Sequence, residues 1–417
     1  MDGGRRHRLQ VLIADDSAVM RGIFRTLFLT HAENVRSELP LMELCGLARD
    51  GVECLEAVRE LQPDVLVLDL EMPRMHGLDV LDRLKQDNPE LPVIMCSSYT
   101  ERGARSTLDA LARGVSDYVM KPSEQSDFAT ALRTLSEQLL PKVAALAGRP
   151  LAVREQATAA RNNDEADGAA GPRRMNEGGS YGSGRNRIEV IVIGVSTGGP
   201  SALEQMLPRL PADLPVPVLI VQHMPKLFTG ALAERLDQSC ALRVREAYEG
   251  AVLVPGTIWL APGDMHMEVR QRSGGSAAVG LGQIYLHGEA PVNYCRPSVD
   301  HLFHSAVKKY GAGTLALVMT GMGADGLSGA RAVHEAGGAV LTQDEATSVV
   351  WGMPGRVTQA GISTAMLPLL SIANELTERA RVGRGGSSAR DARAYRGHRL
   401  SLSGSELQRQ GVTDGLF

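Results

Sequence analysis

Along the first third of the chain, short apolar runs alternate with longer stretches whose apolar positions recur every three or four residues. The runs Val11 to Ala14, Cys45 to Ala48, Val65 to Leu68, Val93 to Met95 and Tyr118 to Met120 have the length and composition of buried strands. Helical stretches follow them, and this alternation predicts βα units around a parallel sheet over residues 8–147. From Gly148 to Arg187 the period disappears and Ala, Gly, Asn, Arg and Glu dominate, which predicts a flexible linker of roughly 40 residues. Periodicity returns at Ile188. Strands are predicted at Val190 to Ile193, Val218 to Val221, Thr257 to Leu260, Gly282 to Leu286, Leu315 to Met319 and Ala339 to Leu341, giving a second α/β domain over 188–379. In the remainder, 380–417, seven Arg from Arg381 onward face three acidic residues among Gly and Ser. That composition predicts a disordered tail or a docking element for an acidic partner.

Composition narrows the function classes. With 43% hydrophobic residues but only 4% aromatic, the cores must rest on Leu, Val, Ile, Ala and Met. A net charge of −4 lacks the basic footprint of a nucleic-acid binder. The five cysteines (Cys45, Cys54, Cys96, Cys240, Cys295) are scattered without CxxC spacing, which argues against a disulfide framework or a zinc site of that kind. No apolar run reaches membrane-spanning length, and MDGGRRHRLQ lacks a signal-peptide apolar region, so a reduced cytoplasmic compartment is expected.

Three carboxylates carry the chemistry of the first domain. Asp15 and Asp16 follow the first strand and Asp69 the third, in VLVLDLEMP. In an open parallel sheet such positions meet along the edge where ligands bind. Converging carboxylates repel one another unless a hard cation sits among them; Mg²⁺ suits oxygen ligands, and it would make Asp69 a plausible phosphoacceptor. Ser97 ends the fourth strand with a hydroxyl. Lys121 ends the fifth, poised to pair with Asp69, and precedes Pro122, where a cis bond is one expectation.

These residues resemble the response-regulator receiver family in the order DDS (Asp15 to Ser17), LDLEMP, Ser97-Ser98 and Lys121-Pro122. The resemblance implies a flavodoxin-like doubly wound fold, with Mg²⁺ held by Asp15, Asp16, Asp69 and the backbone carbonyl of Glu71. It implies phosphorylation of Asp69 by a sensor histidine kinase, read out by Ser97 and Lys121. The stretch from Phe28 to Leu44 is longer than that family's usual connection.

In the second domain, the strand ending at Ile193 runs into Gly194-Val195-Ser196-Thr197-Gly198-Gly199-Pro200, with Pro200 suited to a first helical turn. Ser196 thus sits on a tight strand-to-helix turn, like the nucleophile of a GxSxG elbow. A Gly-rich turn opening a helix can equally cradle a phosphate, but the glycines are misplaced for the dinucleotide fingerprint GxGxxG. His223 ends the next strand, and Asp325 follows LALVMT between glycines. Ser, His and Asp all lying just beyond strand ends point to a nucleophile, its base and the acid that orients the base. His266, beside Met265 and Met267 after another strand, is the alternative base. Arg296 and Asp300 in RPSVD either shape the substrate groove or pair with each other.

The motifs GVSTGGP, VQHMP, APGDMHM, RPSVDHLF, MTGMGADG and QDEATSVVWGMPG resemble the chemotaxis protein-glutamate methylesterase family. The resemblance implies hydrolysis of glutamate γ-methyl esters, and deamidation of glutamines, on methyl-accepting chemoreceptors, with no cofactor for the esterase. Backbone N–H groups near Thr197 and Met322 would hold the oxyanion. A coil-like linker cannot transmit strain, so control is expected to run through direct packing of the first domain over the cleft holding Ser196.

Overall fold

The computed structural model describes residues 8–33, 38–122, 127–147, 187–271 and 282–382. The first domain is built from β1 (Leu9–Ala14), α1 (Ala18–Glu33), β2 (Met42–Ala48), α2 (Gly51–Leu61), β3 (Val65–Asp69), α3 (Gly77–Asp87), β4 (Val93–Ser97), α4 (Glu101–Ala112), β5 (Asp117–Met120) and α5 (Phe128–Ala147). Its strands are parallel, in the order β2-β1-β3-β4-β5. β3 and β4 are buried at every residue, as strands covered by helices on both faces must be. Local chemistry sets the helix starts: the Asp50 carboxylate accepts the N–H groups of Val52 and Glu53 and so caps α2.

The second domain contains β6 (Val190–Val195), α6 (Gly199–Met206), β7 (Val218–Gln222), α7 (Lys226–Ser239), β8 (Arg243–Glu246), β9 (Thr257–Leu260), β10 (His266–Gln271) and β11 (Gly282–His287). It continues with α8 (Val299–Tyr310), β12 (Thr314–Val318), α9 (Leu327–Glu335), β13 (Ala339–Gln343), α10 (Met353–Gln359), β14 (Ala365–Leu367) and α11 (Leu369–Arg381). Seven strands form a parallel sheet ordered β14-β13-β12-β6-β7-β9-β8, while β10 and β11 make a separate antiparallel ribbon. The chain leaves β6 towards β7 on one side and returns as β12 on the other. That reversal is the topological switch point at which open α/β sheets place their sites.

Several expectations are corrected. β8 and β14 were not anticipated, and His266 opens β10 rather than following a strand. The stretch after Phe28 is not all connection: α1 continues to Glu33 and β2 begins at Met42. β12 stops at Val318, one residue before Met319. The only cis peptide bond among the described residues is Arg296–Pro297, so Lys121–Pro122 is trans. α11 runs to Arg381, beyond the expected edge at 379. The expected linker, apart from Arg187, and the Arg-rich tail from 383 lie outside the described residues. No helix among the described residues is long and apolar enough to cross a membrane, and the five cysteines are free thiols.

The two domains share apolar packing. One buried cluster includes Leu108, Leu111 and Tyr118 of the first domain with Leu203, Phe228 and Leu232 of the second. The rings of Tyr118 and Phe228 stack with centroids 4.9 Å apart, worth about 0.5–1.5 kcal/mol beyond the buried area. At the edge, Arg235 of α7 binds Asp109 of α4 and Glu204 of α6. The face presented by α4 and β5 therefore lies against α6 and α7, next to the loop carrying Ser196.

Candidate active site

The ends of β1, β3 and β5 gather the first domain's charged residues. Lys121 Nζ lies 2.6 Å from Asp69 Oδ2 and 3.1 Å from Asp15 Oδ2. Asp15, Asp16 and Asp69 each offer an oxygen, all within 4.8 Å of one another. Burial raises the Asp69 carboxyl to about 6; Lys121 opposes that shift without cancelling it, and Asp15 adds to it. Burial likewise raises Asp15, against the pull of Lys121. Among the described residues, the buried Asp15 Oδ2 has only the shared Lys121 ammonium as a partner. A crowded, under-neutralised set of hard oxygen donors fits a small divalent cation such as Mg²⁺. Gly77 permits this geometry: a Cβ there would lie 2.3 Å from the Asp69 carbonyl oxygen. The Glu71 N–H donates to Asp69 Oδ1 at 3.4 Å. Ser97 is placed differently from Lys121. Its hydroxyl accepts from Thr107 at 2.7 Å and points to the Gly103 carbonyl, so it is engaged away from Asp69.

In the second domain, β12, β6 and β7 lie side by side and deliver Asp325, Ser196 and His223. Ser196 follows β6 directly, and its N–H donates to the Thr320 carbonyl at 3.0 Å. Its own carbonyl accepts from Gly199 at the start of α6 and from the Gln222 side chain. Gly198 turns the chain with φ +75°, where a Cβ would come within 2.5 Å of Val349. Gly321 is equally constrained, since a Cβ would stand 2.8 Å from Ser196 Cβ. The backbone of Gly321 and Met322 thus abuts the serine. Among the described residues, the N–H groups of Thr197 and Met322 make no hydrogen bond, which leaves two donors free beside Ser196.

His223 Nε2 and Asp325 Oδ2 are 2.8 Å apart. No hydrogen bond joins Ser196 to His223 in this conformation; His223 Nδ1 is contacted by Cys295 Sγ at 3.6 Å. Asp325, 2% exposed, is saturated with donors. It accepts from Val299 N–H at 2.7 Å, the Ser298 hydroxyl at 2.8 Å, Gly326 N–H at 3.1 Å and Asn293 at 3.3 Å. Burial alone would raise this carboxyl, but the His223 bond and charge, with those donors, hold it down at about 2. Burial favours neutral His223, yet Asp325 and the sulfur of Cys295 outweigh it and push the imidazole up to about 10.

The alternative base, His266, is engaged away from Ser196. His266 Nδ1 accepts from Ser298 N–H at 3.2 Å, so its Nε2 carries the proton donated to the Ala290 carbonyl at 3.1 Å. Both nitrogens are committed and the residue is fully buried. Arg296 and Asp300 do not pair. Arg296 donates to the carbonyls of Gly288 and Glu289, while Asp300 accepts from Gly329 and Asn293. Sequence reasoning missed Cys295 and Asn293, which sit in a turn with positive φ at Asn293 and Tyr294 and carry no periodic signal. It also missed Ser298, although a serine before Val299 has the mark of a helix N-cap. The contact between domains was expected, but its partner was not: Thr197 Oγ1 donates to Asp117 Oδ2 at 2.7 Å, and Lys142 holds the same carboxylate at 3.0 Å.

Comparison with known proteins covers both halves. The CheB methylesterase family matches residues 191–376, and the response regulator receiver domain family matches residues 11–133. A protein-glutamate methylesterase/protein-glutamine glutaminase of Trichodesmium erythraeum is 39% identical over 372 residues, spanning 89% of this chain and 99% of that protein. One from a Nocardioides species is 42% identical over 377 residues, spanning 89% of this chain and 95% of that protein. The crystal structure of the Thermotoga maritima CheB methylesterase catalytic domain is 39% identical, covers 46% of this chain and 99% of its own, and has a TM-score of 0.44.

Proposed function

The chain belongs to the protein-glutamate methylesterase/protein-glutamine glutaminase family, and on that premise we propose that Ser196, His223 and Asp325 carry its hydrolysis while Asp69 controls it. The observation that supports this reading best is the 2.8 Å bond from His223 to a buried, fully donor-saturated Asp325, one strand away from Ser196. In residue terms, Ser196 Oγ attacks the γ-carbonyl of a methylated glutamate as neutral His223 takes its proton. Asp325 stabilises the imidazolium that forms. The N–H groups of Thr197 and Met322 receive the oxyanion. His223 returns the proton to the leaving methanol, and water then cleaves the acyl-enzyme by the reverse sequence. Ammonia replaces methanol when the substrate is a glutamine.

His223 must shed its proton and its contact with Cys295 before it can serve Ser196. A small rotation of the ring or of the Asn293–Cys295 turn breaks the contact, and the proton leaves to solvent water at the partly exposed edge of the imidazole. The substrates are methyl-accepting chemoreceptors, and the pathway is adaptation in a two-component system.

Residues 8–147 act as the regulatory domain and 188–379 as the hydrolase. Asp69 accepts a phosphoryl group from a sensor histidine kinase. Asp15, Asp16, Asp69 and the Glu71 carbonyl would hold Mg²⁺, which when bound neutralises charge among the carboxylates and on the phosphoryl group. Lys121 pairs with the modified Asp69, and Ser97 leaves Thr107 to meet it. The interface formed by α4 and β5 then loosens and Thr197 is released from Asp117, uncovering the serine loop. The test is methanol release from a methylated receptor. Ser196→Ala should lower it by at least about 10⁴; near-native release would remove Ser196 as the nucleophile.

A further inference from the structure

Where the β10–β11 ribbon meets α8, three histidines and a glutamate come together with no hydrogen bond or ion pair to Ser196, His223 or Asp325. The rings of His266 and His301 stand 4.1 Å apart between centroids, those of His287 and His301 5.0 Å, and those of His266 and His287 5.2 Å. His266 is a wall of this cluster, since both its nitrogens are bonded to backbone. His287 is the opposite case. It is 8% exposed, yet among the described residues neither ring nitrogen makes a hydrogen bond, and each faces only a carboxylate. A buried imidazole left so needs a physical reason, because unsatisfied polar atoms are costly.

The surroundings supply one. Glu268 Oε1 is 3.3 Å from His287 Nε2 and 3.3 Å from His301 Nδ1, with which it is hydrogen-bonded, so a single carboxylate oxygen faces two imidazole nitrogens. One ligand atom from each of Glu268, His287 and His301 lies within 4.8 Å of the others. Nitrogen and oxygen ligands at about 2.0–2.2 Å from a tetrahedral zinc ion stand roughly 3.3–3.5 Å from one another. The two contacts from Glu268 match that edge. The flanking groups suit ligation as well: Glu268 Oε2 accepts from Arg270 at 3.2 Å, and His287 Nδ1 looks at the Glu289 carboxylate, 3.8 Å away. Such outer partners fix which oxygen and which nitrogen face a metal. Beside the cluster is a cavity of about 330 Å³, lined by Glu268, His301 and His304 among others, with room for a water ligand.

We propose that Glu268, His287 and His301 form a binding site for a divalent transition-metal ion, zinc in the first instance, with a water completing the tetrahedron. The ion would join the ribbon to α8. α8 is the helix whose first N–H groups, with the Ser298 hydroxyl before them, hold Asp325. By its position the ion would fix the frame that holds Asp325, without a bond to Ser196 or His223.

Two other clusters could bind zinc, and the experiment separates them. His223, Cys295 and Asp325 form one such group, and the carboxylates of Asp15, Asp16 and Asp69 the other. The metal-stripped full chain carrying Cys295→Ser is titrated with zinc chloride in excess Mg²⁺, which occupies the carboxylates. Binding is read by calorimetry and by competition with a chromogenic chelator. One zinc per chain is expected. His287→Gln and His301→Gln, each checked for folding by circular dichroism, should weaken it at least about 10-fold. His301 lies partly exposed on a helix surface, so its variant serves where His287→Gln fails to fold. Co²⁺ in place of zinc should give the intense visible bands of a four-coordinate site, lost in the same two variants. Zinc binding by the Cys295→Ser chain that His301→Gln leaves unchanged, or no binding by that chain at all, would overturn the proposal.

Discussion

Asp69, the last residue of β3, and Asp325, in the loop beyond β12, are both buried at the strand-end edge of a parallel sheet, one in each domain, and their surroundings drive them in opposite directions. Asp69 shares its pocket with two further carboxylates and a single ammonium, so burial prevails and its pKa rises to about 6. Asp325 faces a helix start, a serine hydroxyl, an asparagine amide and an imidazole, and falls to about 2. The first arrangement leaves negative charge under-compensated, which favours a group that takes up a cation and changes its covalent state. The second compensates the charge in full and keeps it permanent, which suits the orienting role proposed for Asp325. Strand-end placement alone therefore does not specify a role; the count of donors around the carboxylate does.

The contrast breaks most sharply at Asp325. Asp325→Asn keeps the shape but inverts the hydrogen bonding to His223, and methanol release should fall by about 10⁴. A loss below tenfold would mean that the charge is dispensable. Asp69→Asn should abolish stimulation by a small-molecule phosphodonor while preserving the unstimulated rate. It has a second readout with a defined sign. Because the Asp69 pKa rises from 3.8 to about 6 on folding, the folded chain holds more protons in that window, and stability declines as pH climbs through it. Thermal melts without divalent cations should show a shallower decline for Asp69→Asn than for the native chain.

The interface offers a smaller effect. Asp117→Ala removes the acceptor of the Thr197 hydroxyl and should destabilise the closed arrangement by about 1 kcal/mol, raising unstimulated turnover roughly fivefold. An unchanged rate would show that this bond does not restrain the serine loop. The subtlest test concerns His223. Its pKa is pushed up partly by the Cys295 sulfur, and only the neutral ring can accept a proton. Cys295→Ala should move the acidic limb of the kcat/KM profile to lower pH, and a limb that stays in place would detach Cys295 from the base.

Much of this was readable in the chain. Buried parallel strands such as VLVLD and VLIVQ are apolar up to their last residue, and the polar residues at or just past such ends are few, so Asp69, Ser196 and His223 stood out. What escaped was structure without such runs. β8 (RVRE) sits at a sheet edge with alternating exposure, β14 is only three residues, and β10 mixes His, Glu and Arg because one face of the ribbon is open. Asn293 and Cys295 reach His223 and Asp325 through a turn set by backbone geometry, and no local pattern announces which side chain such a turn presents. The orientation of His223, with Nε2 on Asp325 and Nδ1 on Cys295, belongs to three-dimensional packing alone.

The hydrogen bond between Thr197 and Asp117 has a consequence for how such chains can be rebuilt. Thr197, next to Ser196, borrows its acceptor from β5 of the other domain, and Lys142 of α5 anchors that acceptor in turn. The halves are consequently not interchangeable parts. A chimera given a foreign regulatory half would inherit its switch chemistry but not this latch, and its unstimulated rate would rise unless an acid at the start of the fifth strand and its lysine were transplanted with it.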